Sequence, residues 1–429
     1  MSRHFSDEFE EKDIGVEVTV AGWVEDVRTL GSLVFITLRD SHGFSQLVVK
    51  KEASSELYEA CRKLSKQSVI SASGRVQQSR SKQVKYEVKI AALEILSHAI
   101  HPLPLDPTGR IEAGLDVRLD ARALDLRSPR NQAIFKLRHQ ALQSIRSTLV
   151  QQGFLEVNTS KIIGQAAEGG AALFSVNYFD GKQVFLAQSP QLYKEQLTLA
   201  LDKVFEISSY FRAEKSHTTR HLNEFTSVDI EASFMNEVEA MNVCESIVVS
   251  CMIELLNTKH QELNTLHSDL RIPSSPFEEV TYAESIDYLK SMDLDIDYGD
   301  DLSDSNLAVI GKKNNSFFFL TKWPPKLKPF YIAEDPNTQL TRSFDLQYGP
   351  LELASGGMRI HQKEILIERI KSAGLPLDSF SSHLSTFDWG MPPHSGWGFG
   401  FDRFMMVVTG MKNIREVVLY PRDQDRISP

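Results

Sequence analysis

The chain has 429 residues, of which 41% are hydrophobic and 24% charged, as expected for a globular protein of two or three domains. No apolar run reaches the roughly 18 residues of a membrane helix, and the polar N-terminus contains no secretory signal. We therefore expect a cytoplasmic protein without a membrane partner. The net charge of −10 argues against a basic coat for nucleic acid, although a local basic groove could still bind RNA phosphates.

The three cysteines, Cys61, Cys244 and Cys251, show no spacing typical of metal ligands. Cys244 and Cys251 lie in an apolar stretch at a spacing that places them on the same face of a helix. We interpret all three as buried thiols in a reducing compartment.

Residues 16–100 predict a small β-barrel. Apolar and polar residues alternate in five short segments, and an amphipathic helix follows the third of them. The strands are expected at 16–26, 33–39, 44–49, 69–76 and 84–90, and the helix at 54–66. This arrangement is typical of an OB-fold, although other small barrels share the strand count.

The segment after the predicted barrel indicates a domain boundary. Three prolines within 101–108 predict a stiff linker, and the charged stretch 110–130 predicts a hinge. We therefore expect a barrel domain at 1–100, a linker and hinge at 101–130, and a second domain at 131–429.

The second domain mixes helices and strands, so the chain is predicted to be α+β. Apolar residues recur at helical spacing at 134–152, and Gly153 ends this helix before a strand. Helices are further expected at 238–257 and 282–292, strands at 316–321, 330–332 and 341–346, and a glycine-rich strand-to-helix segment at 396–410. The acidic stretch 293–304 is interpreted as a solvated loop.

The most informative stretch is 210–224. An aromatic strand end is expected to place Arg212 and Glu214 on one face, because side chains alternate along a strand. A polar loop with a second cationic pair, Arg220 and His221, follows. A guanidinium held on a strand is suited to bidentate capture of a phosphate, and the alternative for any one such arginine is a surface ion pair.

This stretch, FRAE followed by TTRHLNE, resembles motif 2 of the class II aminoacyl-tRNA synthetases, in the form found in aspartyl enzymes. The helix and strand after residue 134 resemble motif 1, the dimer-forming element, with Ser160 where the family usually has proline. GWGFGFDR, ending at Arg403, resembles motif 3. The motifs occur in the family's order, and the last residues, IREVVLYPRDQDRISP, resemble the C-terminus of archaeal aspartyl enzymes.

The resemblance covers almost the whole chain. It implies a five-stranded OB-fold barrel that binds the anticodon, followed by a class II catalytic domain with an antiparallel sheet flanked by helices. It further implies a homodimeric ligase that activates L-aspartate with ATP and Mg²⁺. The aspartyl group would then pass to tRNA(Asp), and whether tRNA(Asn) is a second acceptor stays open.

Three loops would hold aspartate. QSPQLYK at 188–194 and SGGMR at 355–359 are similar to family segments, with Met358 where the family usually has glutamine. A segment at Glu168 resembles the mobile loop that closes on the substrate ammonium, with Ala167 where the family usually has serine or threonine. The implied aspartate-binding residues are Glu168, Gln191, Lys194, Arg212, Asp229, Ser355 and Arg359.

Within this set, Lys194 and Arg359 would form a doubly cationic pocket for the side-chain carboxylate of aspartate. Asp229 would orient Lys194 and offset its charge. The alternative for a single lysine is solvent exposure.

The nucleotide would bind along motifs 2 and 3. Arg212 would hold the α-phosphate, Arg220, His221 and Arg403 the β- and γ-phosphates, and Phe225 would stack on adenine. The implied ATP-binding residues are Arg212, Glu214, Arg220, His221, Leu222, Phe225, Glu352, Gly400 and Arg403. The implied magnesium ligands are Asp345, Glu352 and Ser355, since oxygen ligands and phosphates suit this ion.

On the barrel, Arg28, Phe35 and Gln46 would read the anticodon, with Phe35 stacking on a base. Phe35 could instead belong to the barrel core, because its strand has apolar residues on both faces. Two other functions stay open: an asparaginyl-tRNA synthetase and a non-catalytic RNA-binding paralogue. Lys194 favours aspartate, because a neutral amide would leave its charge unpaired.

Overall fold

The computed structural model describes residues 3–80, 84–164, 173–215, 218–314 and 316–429. The chain divides into two units, Met1–Ile111 and Glu112–Pro429, each with its own hydrophobic core. No helix in these ranges is long and apolar enough to span a membrane.

The first unit is a closed barrel. Its elements are β1 (Arg3–His4), β2 (Glu17–Leu30), β3 (Leu33–Arg39), β4 (Phe44–Lys50), α1 (Ser55–Arg62), β5 (Val69–Gln78) and β6 (Tyr86–Ser97). The strand order is β1-β2-β3-β4-β6-β5, and β2 also pairs with β5, so β2 to β6 close on themselves. Five closed strands with a helix after the third of them confirm the predicted OB-fold arrangement.

Strand β3 shows which side chains fill the barrel. Val34, Ile36 and Leu38 are 0%, 0% and 2% exposed, whereas Leu33 and Phe35 are only partly buried. This alternation follows from the two-residue period of a strand. Phe35 therefore lies on the outer face of the barrel and not in its core.

The boundary between the units falls inside the predicted linker 101–130. Helices α2 (Leu115–Asp120) and α3 (Arg122–Asp125) belong to the second unit. The buried guanidinium of Arg122 donates to three backbone carbonyls within 416–419, at 2.8 to 3.2 Å. The guanidinium of Arg122 therefore binds the backbone near the C-terminus of the same unit.

The second unit is built around a large sheet. Its further helices are α4 (Pro129–Gln151), α5 (Gln191–Leu201), α6 (Glu237–Thr258), α7 (His260–Leu266), α8 (Tyr282–Ser291), α9 (Asp304–Asn314), α10 (Lys363–Ser372), α11 (Ser381–Phe387) and α12 (Phe401–Thr409). Its strands are β7 (Leu155–Glu156), β8 (Ile162–Ile163), β9 (Ser175–Asn177), β10 (Gln183–Leu186), β11 (Lys203–Phe211), β12 (Glu224–Ser233), β13 (Glu278–Thr281), β14 (Phe317–Thr321), β15 (Ser343–Tyr348), β16 (Leu351–Met358) and β17 (His394–Gly400).

The large sheet has the order β13-β14-β15-β16-β17-β12-β11-β7 across the described residues. Its central strands are antiparallel, but the edge strands β13 and β7 pair in parallel with β14 and β11. The centre of the sheet is therefore antiparallel, as the resemblance implied, and its two described edges make it mixed. Parallel neighbours need crossover connections, and α8 and α9 provide one between β13 and β14.

The two faces of this sheet have different roles. Along β12, Val228 and Ile230 face an apolar core with α4, α6 and α12, whereas Ser227 and Asp229 face a cavity. The core helix α6 begins at a reciprocal cap, in which Asn236 and Glu239 each accept the other's backbone N–H. The same alternation thus stabilises one face and leaves polar side chains on the other.

The predicted strand at 330–332 is wrong. Its described ladder contact is a single bridge between Ile332 and Arg359. The segment is apolar because it packs in a cluster with α10 and α11. Apolar content in a short run does not separate strand from buried loop.

Strand β16 contains a bulge. Asp345 lies opposite Ser355, but Gln347 lies opposite Glu352, so β16 carries one extra residue between these pairs. In a regular strand, residues three apart such as Glu352 and Ser355 would lie on opposite faces. The extra residue places them on the same face. The bulge directs Glu352 to the side of Asp345.

Candidate active site

A cavity of about 320 Å³ lies on the polar face of the large sheet. It brings together most of the residues that the resemblance implied. They are Gln191, Arg212, Glu214, Arg220, His221, Leu222, Phe225, Asp229, Glu352, Ser355, Arg359, Gly400 and Arg403. Lys194 and Asp345 are buried and contact residues of the cavity wall, and Glu168 lies outside the described residues.

Arg212 lies one residue beyond the end of β11, so the expected strand position is slightly wrong. Its backbone N–H still donates to the carbonyl of Asn223 at 2.9 Å, and the Asn223 amide donates back to Arg212 at 2.7 Å. Its guanidinium carbon lies 5.3 Å from the centroid of the Phe225 ring. Stacking on a ring leaves the in-plane donors of a guanidinium suited to a phosphate.

Arg220 reaches the cavity beside the start of α9. Its Nη2 lies 2.7 Å from Oδ2 of Asp304, and its Nη1 donates to the carbonyl of Pro350 at 2.9 Å. Burial, together with the charge of Arg403, lowers the pKa of His221 below its usual 6.5. The charged form of His221 is thereby disfavoured in the cavity without a nucleotide, and its contact with a phosphate stays a prediction.

Arg403 lies in the first turn of α12, which follows Gly400. Its Nη1 donates to the carbonyl of Glu352 at 3.0 Å, and its Nε to that of Arg220 at 3.4 Å. A Cβ at Gly400 would meet nothing closer than 3.6 Å. The backbone therefore tolerates a side chain here, and glycine instead keeps the cavity open.

The predicted aspartate end contains a buried charge cluster. Lys194 Nζ lies 3.0 Å from Oδ1 of Asp229, 3.0 Å from the carbonyl of Trp397 and 3.6 Å from Oε2 of Glu231. Arg359 meets Glu231 at two points, 3.0 Å from Nε to Oε1 and 3.2 Å from Nη2 to Oε2. All four charged side chains are almost fully buried.

These two cations and two carboxylates carry no net charge, so the expected doubly cationic pocket is wrong. The second negative charge comes from Glu231, which the motifs did not single out. Burial disfavours the charge of Arg359, but Glu231 more than offsets this and raises the pKa of Arg359. The spacing of two between Asp229 and Glu231 on one strand was the signal that could have revealed it.

The alternating glycines of β17 make room for these carboxylates. A Cβ at Gly396 would lie 2.3 Å from Oε2 of Glu231, and one at Gly398 would lie 3.1 Å from Oδ1 of Asp229. The first distance is prohibitive and the second is tight. Glycine thus lets two acidic side chains of β12 lie directly against the neighbouring backbone.

Behind Gln191 lies a second buried cluster that sequence reasoning missed. The Gln191 amide donates to Oε1 of Glu195 at 2.6 Å, and Oε2 of Glu195 faces Nε2 of His383 at 3.4 Å and Nε2 of His394 at 3.6 Å. Burial would lower the pKa of His394, but Glu195 raises it above its usual value. These residues come from three distant segments, so no local pattern indicates their contact.

Asp345 and Glu352 have the character of a magnesium site. Oδ2 of Asp345 contacts Nζ of Lys328 at 2.5 Å, and its buried Oδ1 has no hydrogen-bond partner among the described residues. Burial, followed by the nearby charge of Asp345, raises the pKa of Glu352. A divalent cation would relieve both conditions. Lys328 was not predicted.

Within the described ranges, no group of three or more His, Cys, Asp or Glu side chains is arranged as a metal site. Mg²⁺ commonly uses one or two carboxylates and completes its coordination with substrate phosphates and water. Asp345, Glu352 and Ser355 therefore fit an ion that arrives with a nucleotide.

The predicted anticodon residues lie on the barrel of the first unit. Arg28 forms an exposed ion pair with Asp26, and Phe35 is partly exposed. The Gln46 amide donates to the buried Glu87, which also accepts from Gln77 at 2.7 Å. Because the Gln46 amide nitrogen donates to Glu87 and to Ser79, the carbonyl oxygen of Gln46 is the group suited to accept from a base.

Two protein-family models match the chain. Residues 114–424 match the tRNA synthetases class II (D, K and N), and residues 18–96 match an OB-fold nucleic acid binding domain. Together they cover both units of the fold.

Individual relatives match over nearly their whole lengths. The aspartate–tRNA(Asp/Asn) ligase of Methanothermobacter thermautotrophicus is 44% identical, with 99% of this chain and 98% of the relative covered. The same-named ligase of Methanocaldococcus jannaschii is 42% identical over the same shares.

Solved structures give the same picture. Asparaginyl-tRNA synthetase from Pyrococcus horikoshii, complexed with asparaginyl-adenylate, is 31% identical, with a TM-score of 0.95 and 100% of both chains covered. Aspartyl-tRNA synthetase from Entamoeba histolytica is 29% identical with a TM-score of 0.87, covering 100% of this chain and 93% of that one. On these matches, the chain belongs to the class II tRNA synthetases of the D, K and N family.

Proposed function

We propose that the protein is an aspartate–tRNA ligase, which joins L-aspartate to tRNA at the expense of ATP. The observation that carries this proposal is the buried Arg359, which lines the cavity while Lys194 lies behind the wall. Arg359 is the cation placed to meet a second substrate carboxylate, and it shares the carboxylate of Glu231 with Lys194. The names of the relatives, which are aspartate–tRNA(Asp/Asn) ligases, support the same substrate.

In the first step, an α-carboxylate oxygen of aspartate attacks the α-phosphorus of ATP, and pyrophosphate leaves with the electron pair of the broken bond. Arg212 holds the α-phosphate while charge builds on its oxygens. Arg220, His221 and Arg403 hold the β- and γ-phosphates, and Phe225 packs against adenine.

Asp345, Glu352 and Ser355 would hold Mg²⁺, which offsets the charge of the triphosphate. Neither step requires a protein nucleophile, because the attacking carboxylate is already ionised. Positioning and charge stabilisation therefore supply most of the acceleration. In the second step, the terminal ribose hydroxyl of the tRNA takes the aspartyl group and AMP leaves.

The acceptor is tRNA(Asp), with tRNA(Asn) as a second acceptor. The OB-fold presents Arg28, Phe35 and Gln46 to the anticodon, and Gln46 accepts a hydrogen bond from a base while Phe35 stacks on one. The enzyme works as a homodimer in the cytoplasm, and its three described cysteines are buried free thiols, as suits a reducing compartment.

Activation of asparagine is the second candidate. The specific observation in its favour is the zero net charge of Lys194, Arg359, Asp229 and Glu231, which does not by itself select a charged substrate. The similarity to an asparaginyl enzyme bound to its adenylate supports the same alternative.

ATP–pyrophosphate exchange with aspartate and with asparagine tests the amino acid. We expect exchange with aspartate alone, and equal exchange with asparagine would contradict the proposal. Charging purified tRNA(Asp) and tRNA(Asn) side by side tests the acceptor, and no exchange with either amino acid would point to a non-catalytic protein.

A further inference from the structure

Lys328 lines the cavity although none of the three motifs includes it. Its side chain is 8% exposed, and its Nζ lies 2.5 Å from Oδ2 of Asp345. The same ammonium lies 4.4 Å from the centroid of the Trp323 ring. The ammonium therefore contacts both the Trp323 ring and Asp345, which is one of the residues predicted to bind magnesium.

In this arrangement Lys328 and a bound metal ion would compete for the same carboxylates. Lys328 offsets the charge of Asp345 and lies near enough to Glu352 to favour its ionised form. An ion bound by the two carboxylates would lie close to the ammonium, and like charges repel strongly where water is excluded. Both cations are then tolerated only when further negative charge enters the site.

A triphosphate supplies that charge. Lys328 shares the cavity with Arg212 and Arg403, so a triphosphate bound there would lie within reach of all three cations. The ammonium could exchange one carboxylate oxygen for a phosphate oxygen without becoming unpaired, which matters because a buried unpaired charge is costly.

We propose that Lys328 is the internal counter-ion of the metal site, holding Asp345 in the absence of nucleotide and passing to a triphosphate oxygen when Mg²⁺ enters with ATP. Metal and nucleotide binding are thereby coupled, and the free ion binds weakly. This inference rests on the proposed function for the identity of the nucleotide. The alternative is that Lys328 and Asp345 form a purely structural ion pair. Its removal would then affect folding and leave the affinity for the metal ion unchanged.

The test measures Mn²⁺ binding to the full chain without nucleotide, with electron paramagnetic resonance as the readout. Lys328→Met should bind Mn²⁺ at least about tenfold more tightly than the parent, because the acidic pair loses its internal cation. Lys328→Arg, which keeps the charge, should bind as the parent does. Lys363→Met is the matched control, since Lys363 pairs with Asp388 at an exposed position.

A second measurement tests the other half of the exchange. With Mg²⁺ present, calorimetric titration with a non-hydrolysable ATP analogue should show about tenfold weaker binding by Lys328→Met and no change in Lys363→Met. If the methionine variant does not fold, Lys328→Gln replaces it, because its amide can still donate to Asp345. Unchanged or weaker Mn²⁺ binding, or undiminished nucleotide binding, would overturn the inference.

The Mn²⁺ experiment contains neither ATP nor aspartate. A parent protein that fails to catalyse aspartate-dependent exchange would contradict the proposed function while leaving the Mn²⁺ comparison interpretable. Conversely, normal exchange in the parent with no effect of Lys328→Met on Mn²⁺ would reject the counter-ion role alone.

Discussion

Arg359 and Glu231 form a two-point ion pair at the cavity, with nitrogen–oxygen distances of 3.0 and 3.2 Å. Glu231 also lies 3.6 Å from Lys194, so one carboxylate serves both cations of the proposed amino-acid site. The preference for aspartate over asparagine then depends on how much positive charge Glu231 leaves uncompensated.

The substitution Glu231→Gln tests this relationship. It changes the net charge of the four-residue cluster from zero to +1, which favours an anionic substrate and leaves a neutral one unaffected. We expect the ratio of kcat/KM for aspartate to that for asparagine to rise about tenfold, about 1.4 kcal/mol. ATP–pyrophosphate exchange measures both rates.

Glu237→Gln is the matched control, because Glu237 pairs with Arg342 in a similar but more exposed contact. It should leave the ratio unchanged. A ratio that stays constant or falls in Glu231→Gln would show that Glu231 serves only to orient Arg359.

Lys194→Leu should weaken aspartate activation much more than ATP binding. The leucine removes a buried charge and leaves Asp229 without its cation, which we expect to cost about 3–5 kcal/mol of unfolding free energy. Urea unfolding gives the stability, and exchange assays per folded molecule give the activity. Aspartate-dependent exchange within about threefold of the parent, under about 1 kcal/mol, would show the pocket assignment to be wrong.

Arg212→Ala should abolish adenylate formation with little effect on stability. The side chain follows a strand end, stacks on Phe225 and lines the cavity, so the substitution takes away a cavity cation and no core side chain. Single-turnover adenylate formation and thermal unfolding should be measured on the same preparation. A large loss of stability with activity preserved per folded molecule would reverse the assignment.

Stability should depend on pH through His394 and Glu195. The pKa of His394 is raised in the folded state, so its stabilising contribution is complete below the unfolded value of about 6.5 and declines as pH rises through the folded value. The pKa of Glu195 is lowered, so the contribution of the same contact also declines as pH falls below 4.5 towards the folded value.

The free energy of unfolding in urea, measured for the parent and for Glu195→Gln, isolates this contact. The difference between them should be largest between about pH 5 and 6.5 and should shrink at higher pH. Burial, followed by the charge of His394, lowers the pKa of His361, so the contribution of His361 to stability runs in the opposite direction. A pH-independent difference would show that His394 does not titrate in this range.

Phe35→Ala should raise the KM for tRNA about ten- to hundredfold, because stacking on one base contributes roughly 1–3 kcal/mol. The partly exposed ring lies opposite the core residues Val34 and Ile36, so exchange without tRNA should not change. Ile36→Ala is the contrasting variant, which should destabilise the barrel. Equal losses in both assays for Phe35→Ala would assign Phe35 a structural role.

The sequence was informative where a function depends on consecutive residues. Arg212, Phe225 and Arg403 lie in local motifs, and the cavity brings them together. Lys328 and Glu231 were missed because their significance comes from partners far along the chain. Neither composition nor periodicity shows which distant side chains balance a buried charge.

The barrel illustrates the same division. Alternation was sufficient to predict its strands, since a two-residue period is a local property.

In the large sheet of the second unit, the parallel pairing of β13 with β14 was not predicted. Strand direction depends on the crossover and not on the residues of either strand.

The extra residue in β16 lets two neighbouring side chains enter the core while the residues on either side of them face the cavity. Leu353 lies between the pairs Leu346–Ala354 and Gln347–Glu352, and Leu353 and Ala354 both belong to the apolar core. Deleting Leu353 would place Glu352 two positions from Ser355, so regular alternation would keep both on the cavity face. A relative that is shorter by one residue in this strand could therefore lose a core leucine and still keep Glu352 beside Asp345.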